Sequence, residues 1–435
     1  MISTVEKTES NAKQGGPFRV MVVDDSAIIR GFLCRYLSDD QDIEVITTAN
    51  NGAVALKQLA SHDVEVVVLD IEMPEMDGMT ALPKMMDMIP DLRVVMASTL
   101  TRKNAEISLR ALQMGAVDYV PKPETARSVN ANIDFRRELV DKVKAWASRR
   151  RKKRGEEMPK SLQGGAIVGT TPMARSASAR PAPAGFVKPT RPAAPGFVSP
   201  SSRPAAKPVA TVARAKPQSD DDAIPTTVPR QENIQLRTGS FRRPKVLAIG
   251  SSTGGPQALM NFFKQFTRKP AVPILITQHM PATFTAILAD HLAQTTGWVC
   301  QEGKEGMALA PGQIYVAPGG SHMEVTDESG QIKIRLTDEP PENFCKPAVD
   351  PLFRSLTKVF GENVLAVVLT GMGHDGLRGA RALTREGGTV LAQDEASSVV
   401  WGMPGAVATA GLCTEVLPID QLGEATAKRL QGGIG

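Results

Sequence analysis

No stretch of this 435-residue sequence approaches the ~18 consecutive apolar residues that a membrane-spanning helix requires. The longest mostly apolar stretches, such as Val64–Leu69 with its single Glu65, are strand-sized, which excludes an integral helical membrane protein. The opening M-I-S-T-V-E-K-T-E-S is polar and has no apolar signal-peptide core. Cysteine is scarce. Cys34, Cys300, Cys345 and Cys413 lie far apart, without a C-x-x-C pair. That argues against a zinc ribbon or a disulfide scaffold and for a reducing compartment, so the cytoplasm is the expected location. The four thiols are expected to be buried apolar residues rather than nucleophiles.

A surplus of one charge sign is also missing from the parts that should fold. The net charge of +5 is misleading until it is divided. Residues 151–243 hold 17 basic and 6 acidic side chains, leaving 34 basic against 40 acidic elsewhere. The basicity belongs to one segment, so specific nucleic-acid binding loses its main support. That segment is rich in Pro, Ala, Ser and Arg and poor in large apolar residues, the composition of a chain that cannot offset its ordering entropy. It carries a short repeat, R-P-A-P-A-G-F-V-K-P from Arg180 and R-P-A-A-P-G-F-V-S-P from Arg191, with Phe186 and Phe197 as potential docking anchors. The basic run Arg149–Arg154 is expected to be the solvated start of this tether.

What is present is alternation. Apolar strand candidates at Phe18–Val23, Val64–Leu69, Leu92–Ala97 and Val117–Val120 alternate with helical stretches, one of them from about Ala27 to Leu37. The pattern returns after the tether, with strands at Val246–Ile249, Val272–Thr277, Ile314–Val316, Val364–Thr370 and Thr389–Ala392. Helices are expected there at Asn261–Phe266, Phe284–Ala293, Pro351–Val359 and Leu377–Glu386. Continuous apolar runs mark strands buried on both faces, and such alternation implies parallel sheets covered by helices. Two α/β domains on a long tether are expected: 18–138, a basic Pro/Ala-rich linker 139–243, and 244–431.

Function in such sheets sits at the carboxyl ends of the strands. In the first domain those ends carry Asp24 and Asp25, then Asp70, then Ser98 and Thr99, then Lys122. Converging carboxylates repel one another unless a cation intervenes, and an all-oxygen ligand set suits Mg²⁺. A carboxylate beside Mg²⁺ and an ammonium can attack a phosphoryl donor. The stretches D-D-S, V-V-V-L-D-I-E-M-P-E-M-D-G, M-A-S-T and Y-V-P-K-P resemble the receiver domain of bacterial response regulators, over about residues 18–138. The resemblance implies Asp70 as phospho-acceptor. It implies Mg²⁺ held by Asp24, Asp25, Asp70 and the backbone carbonyl of Glu72. Ser98, Tyr119 and Lys122 take the switch and phosphate-binding positions, and Pro123 that of a cis bond.

In the second domain the strand ends carry V-L-A-I-G-S-S-T-G-G-P, P-I-L-I-T-Q-H-M-P and V-V-L-T-G-M-G-H-D-G. Ser251 or Ser252 supplies a hydroxyl, His279 an imidazole and Asp375 a carboxylate, the three parts of a nucleophilic triad. Gly371 and Gly373 would leave the amide of Met372 free to face a developing oxyanion. A nucleotide site fits poorly, because the turn lacks G-x-G-x-x-G spacing and a P-loop lysine. His291 and His322 are expected to be structural, and no H-x-x-x-H pair suggests a metal. A helix-turn-helix pattern is absent too.

G-S-S-T-G-G-P, Q-H-M-P, Y-V-A-P-G-G-S-H-M, C-K-P-A-V-D-P-L-F-R-S, T-G-M-G-H-D-G and W-G-M-P-G-A resemble the catalytic domain of chemotaxis protein-glutamate methylesterases, over about residues 244–431. The resemblance implies Ser252 as nucleophile, His279 as general base and acid, and Asp375 as its orienter. Met372 becomes the oxyanion donor and Thr253 a helper. It implies a flavodoxin-like receiver followed by a Rossmann-like three-layer α/β/α methylesterase. The implied activity is hydrolysis of glutamyl methyl esters, and deamidation of glutamines, on methyl-accepting chemoreceptors. A chemotaxis histidine kinase would donate the phosphoryl group. No organic cofactor is implied, and the protein would act at receptor arrays without being embedded in the membrane. The long linker requires any closed, inhibited state to rest on its own interface, since a longer tether lowers the effective concentration of one domain at the other.

Overall fold

The computed structural model describes residues 15–99, 101–122, 129–162, 234–240 and 242–432. The linker repeat with Phe186 and Phe197, and Pro123, lie outside them. In the first domain the mostly apolar, largely buried runs form strands, with Arg19, Arg93 and Asp118 among the charged residues within them. In chain order the domain runs β1 (Phe18–Val23), α1 (Ala27–Ser38), β2 (Ile43–Ala49), α2 (Gly52–Ser61) and β3 (Val66–Asp70). It continues with α3 (Gly78–Met88), β4 (Arg93–Thr99), α4 (Arg102–Gln113), β5 (Asp118–Lys122) and α5 (Val129–Arg154). The five strands are parallel, in the order β2-β1-β3-β4-β5. Side-chain caps start α1, α2, α3 and α4, from Ser26, Asn51, Asp77 and Thr101. The edge strand β2 escaped sequence patterning because five of its seven residues are half-buried or exposed.

The basic run Arg149–Arg154 is only partly the solvated linker start expected: Lys152, Lys153 and Arg154 are exposed, but Arg150 and Arg151 are buried. Helix α5 crosses residue 138, the expected end of the first domain, and ends only at Arg154. Arg151 is fully buried. Its Nε and Nη2 donate to Glu65 at 2.6 and 2.8 Å, and its Nη1 donates to the carbonyls of Gly16 and Glu157. Arg150 pairs with Asp91 at 3.2 Å. The guanidinium's five fixed donors can satisfy a buried acceptor set that a linear sequence does not reveal. Glu65→Ala is expected to destabilise the first domain by about 3–5 kcal/mol, because it leaves Arg151 buried and uncompensated. A urea unfolding midpoint equal to that of the parent protein would refute this.

The second domain begins with β6 (Val246–Ser251), α6 (Gly255–Phe263), β7 (Ile274–Gln278), α7 (Ala282–Thr296), β8 (Cys300–Glu302) and β9 (Ile314–Val316). The hairpin β10 (His322–Glu328) and β11 (Gln331–Thr337) follows, then α8 (Val349–Phe360), β12 (Val364–Val368), α9 (Leu377–Arg385), β13 (Thr389–Gln393), α10 (Met403–Thr409), β14 (Glu415–Leu417) and α11 (Ile419–Leu430). Seven parallel strands run in the order β14-β13-β12-β6-β7-β9-β8, and β10 and β11 pair antiparallel beside them. β6 lies between β12 and β7, so the three motif-bearing strands are neighbours. Helix α6 spans Gly255–Phe263, earlier than the expected Asn261–Phe266, because Pro256 takes its first turn.

The two folded domains share one buried apolar cluster. Tyr119 of β5 stacks on Phe284 of α7, with centroids 4.3 Å apart and planes 7° from parallel. Gln257 donates to the carbonyl of Ala116 at 2.8 Å, and Lys152 pairs with Glu395 at 3.2 Å. Arg137 of α5 lies 4.6 Å from the ring of Phe344.

Candidate active site and carboxylate cluster

The first-domain cluster forms because β1, β3 and β5 end at the same sheet edge. Asp24 follows β1, while Asp70 and Lys122 are the last residues of β3 and β5. Carboxylate oxygens of Asp24, Asp25 and Asp70 lie within 4.8 Å of one another. Lys122 Nζ sits 2.6 Å from Asp24 Oδ2 and 2.7 Å from Asp70 Oδ1. Burial raises the Asp70 carboxyl to about 6 despite the attraction of Lys122. Two buried carboxylates and an exposed one, with a single ammonium between them, leave negative charge uncompensated. The donor set is hard oxygen, so it fits Mg²⁺. Glu72 follows closely, and its side chain pairs with Lys103 at 3.5 Å. The Ser98 hydroxyl is buried against that of Ser108 at 2.9 Å. Tyr119 is buried in the contact with Phe284.

The second-domain site is built on the ends of β6, β7 and β12. After β6 the chain turns through Gly254, whose φ of 75° belongs to the left-handed region. Ser251 is fully buried, and its hydroxyl donates to Gln278 Oε1 at 2.7 Å. Ser252 is less buried. Its amide donates to the carbonyl of Thr370 at 3.0 Å, and its own carbonyl accepts from Gly255 N and Gln278 Nε2. Gly371 passes so close that a Cβ there would lie 2.9 Å from Ser252 Cβ. Among the described residues the next amide, that of Met372, makes no hydrogen bond. Thr253 is buried, and its carbonyl accepts from the Thr370 hydroxyl at 3.0 Å.

His279 follows β7, and its amide donates to the carbonyl of Ser251 at 3.1 Å. Its Nε2 lies 2.7 Å from Asp375 Oδ2. Asp375 also accepts from the amides of Val349, Asp350 and Gly376 and from Asn343 Nδ2. Burial would raise its carboxyl, but the hydrogen bonds from His279 and these amides outweigh that and hold it below the usual value. The charge this fixes on Asp375 assigns the proton to Nε2 and leaves Nδ1 as the acceptor. Nδ1 faces the Cys345 sulfur at 3.2 Å. Among the described residues, Ser252 Oγ makes no hydrogen bond to the ring.

Three further residues stand at the site, none of them assigned to it from the sequence. Asn343 Nδ2 bridges Asp350 and Asp375, at 3.0 and 2.9 Å. Asp350 is fully buried, and burial together with the Asp375 charge raises its carboxyl. The expectation of four buried thiols holds only for Cys413; Cys34, Cys300 and Cys345 are half-buried, and Cys345 differs from the others in meeting a base. An acidic residue inside the apolar run V-D-P-L-F was the one legible signal for Asp350. Nothing in the spacing linked Asn343 or Cys345 to residues more than thirty positions away. His322 is structural as expected, bonded to Pro340 O and accepting from Ala348 N.

Burial alone would lower the affinity of His279 for a proton, but the Cys345 sulfur and Asp375 outweigh it and hold the ring well above its ordinary 6.5. A base must be unprotonated to act, so turnover should climb with pH along a limb above 6.5. Cys345→Ala should move that limb toward lower pH. A pH–kcat/KM profile unchanged by the substitution would contradict this.

None of the helices in the described residues is long and apolar enough to cross a membrane. Residues 20–134 match the response regulator receiver domain family, and residues 247–426 match the CheB methylesterase family. The chain is 45% identical over 423 residues to protein-glutamate methylesterase/protein-glutamine glutaminase 1 of Rhodospirillum rubrum, covering 97% of each chain. It is 46% identical over 407 residues to the protein of the same name from Paramagnetospirillum magneticum, covering 93% of this chain and 94% of that one. Among solved structures, it resembles the Thermotoga maritima CheB methylesterase catalytic domain at 36% identity, over 42% of this chain and 98% of that one, with a TM-score of 0.42.

Proposed function

Because this chain belongs to the CheB methylesterase family, with a receiver domain ahead of its hydrolase, we propose that Ser252, His279 and Asp375 carry its ester hydrolysis and that Asp70 controls it. The enzyme is a protein-glutamate methylesterase and protein-glutamine glutaminase of chemotaxis signalling. Ser252 Oγ attacks the glutamyl ester carbonyl and gives its proton to His279 Nδ1, while Nε2–H stays on Asp375. The oxyanion meets the Met372 amide. Methanol leaves with the proton from Nδ1, and water then cleaves the acyl-enzyme by the same route in reverse roles. With a glutamine side chain the leaving group is ammonia. The observation that carries this reading is the His279–Asp375 pair at the strand end beside Ser252. Methanol release from methylated receptor, lost on His279→Ala, tests it.

The substrates are the methylated helices of chemoreceptors, reached in the cytoplasm at receptor arrays. A chemotaxis histidine kinase phosphorylates Asp70. Asp24, Asp25, Asp70 and the Glu72 carbonyl would hold Mg²⁺, which would supply positive charge to offset that of the phosphoryl group. Lys122 holds the phosphoryl oxygens, and Ser98 turns from Ser108 to meet them. Neither an organic cofactor nor a specific nucleic acid takes part.

Tyr119 supplies the coupling to the hydrolase, because its ring rests on Phe284, five positions after His279. Phe284→Ala removes a stack worth about 0.5–1.5 kcal/mol beyond its buried area. Unphosphorylated activity should therefore rise, up to about tenfold, since 1.4 kcal/mol is a factor of ten. Asp70→Ala should keep the basal level and lose the rise caused by a phosphoryl donor with Mg²⁺. If Phe284→Ala leaves basal turnover unchanged, the receiver controls where the enzyme docks rather than whether its site is open.

A further inference from the structure

The active site holds a second nucleophile that ester hydrolysis does not use. Cys345 Sγ, His279 Nδ1, His279 Nε2 and Asp375 Oδ2 form a continuous row, with contacts of 3.2 and 2.7 Å. That is the order of nucleophile, base and orienter in thiol enzymes. We propose that Cys345 is a redox modification site, oxidised by hydroperoxides to a sulfenic acid that switches the esterase off. The inference rests on His279 being the base of the reaction proposed above.

The other three thiols serve as internal comparisons. Burial pushes Cys300 and Cys413 up to about 12, and burial also raises Cys34. The thiolate is the species that attacks peroxide, so these three are poorly placed to react. Cys345 alone has its sulfur hydrogen-bonded to a base among the described residues. Its loop also reaches the surface, since the preceding Phe344 is 74% exposed. The loop is held in register by Cys345 N donating to Glu342 O at 2.9 Å, and Arg354 anchors Glu342 at 2.9 Å. Cys345 itself is half-buried, and its position against the ring is maintained.

The step balances without another reactant. The Cys345 S–H proton passes to His279 Nδ1, and the thiolate attacks one oxygen of the hydroperoxide. The S–O bond forms as the O–O bond breaks. The departing oxygen takes the Nδ1 proton and leaves as water, or as an alcohol from an organic hydroperoxide. Sulfur loses two electrons, the peroxide gains them, and the imidazole is returned neutral. The new S–OH then occupies the Nδ1 lone pair that Ser252 must use, so hydrolysis stops. A dithiol reductant restores the thiol.

The test uses the full chain and hydrogen peroxide. Dimedone capture of sulfenic acid, located by peptide mass, should label Cys345 first among the four cysteines. Turnover should fall in step with the label and return with dithiothreitol when dimedone is omitted. Cys345→Ser and Cys345→Ala, each compared with itself before peroxide, should lose no turnover. Labelling of another cysteine ahead of Cys345 overturns the proposal, as does labelling without loss of turnover, or equal loss in both variants. His279→Ala should slow the labelling, a readout independent of turnover. If His279→Ala instead keeps full turnover, the catalytic assignment fails, and the labelling still decides whether Cys345 is the oxidised residue.

Discussion

Ser252→Ala is expected to lower ester hydrolysis by about three orders of magnitude or more, because removing one member of a nucleophilic triad costs nearly as much as removing all of them. The fold should survive, since the Ser252 hydroxyl makes no hydrogen bond among the described residues and its backbone contacts remain. Ser251→Ala should leave most of the activity. That hydroxyl is fully buried and committed to Gln278, so its loss affects stability more than chemistry. The pair of variants is a direct discrimination between neighbouring serines. A dead Ser251→Ala and an active Ser252→Ala would move the nucleophile by one residue. Loss of turnover in both, with matching loss of thermal stability, would mean that the turn itself had collapsed, so a melting curve accompanies the kinetics.

Asp375→Asn is expected to cost about 10⁴ in kcat by favouring the wrong imidazole tautomer. The substitution does more here than remove a charge. The carboxylate accepts five hydrogen bonds, from His279, Val349, Asp350, Gly376 and Asn343. An amide turns one oxygen into a donor that must face donors, whichever way it is oriented. A loss of stability should therefore accompany the loss of rate. Asn343→Ala removes one of those five bonds without touching the imidazole. It should lower kcat far less than Asp375→Asn while leaving KM nearly unchanged. Normal turnover in Asp375→Asn would remove Asp375 from the catalytic set.

The parallel sheets were legible because their central strands are mostly apolar runs, with few charged interruptions such as Arg19 and Glu65, and such runs can be buried only between two helical layers. The site types were legible for a related reason. Chemistry on parallel sheets gathers at carboxyl strand ends, so Asp24, Ser252 and His279 directly follow recognisable strands, Asp70 ends one, and Asp375 lies in the turn after another. The edge strands β2, β8 and β14 were not. An edge strand needs neither a long apolar run nor strict alternation, and β8 and β14 are three residues each. The helical fate of Arg149–Arg154 was hidden as well, because six consecutive cationic residues look solvated until Glu65 and Asp91 are seen beside them.

The sequence by itself determined two α/β domains, a low-complexity basic tether, and the residue types at each strand end, since hydrophobic patterning and turn chemistry are local properties. Tertiary structure decided what those residues touch. It put Tyr119 on Phe284, bound the Ser251 hydroxyl to Gln278, and set Cys345 against His279. Each of these contacts joins segments 27 or more positions apart. Only packing determines such distances, because a side chain's partner across a sheet or an interface leaves no periodic trace in its own neighbourhood.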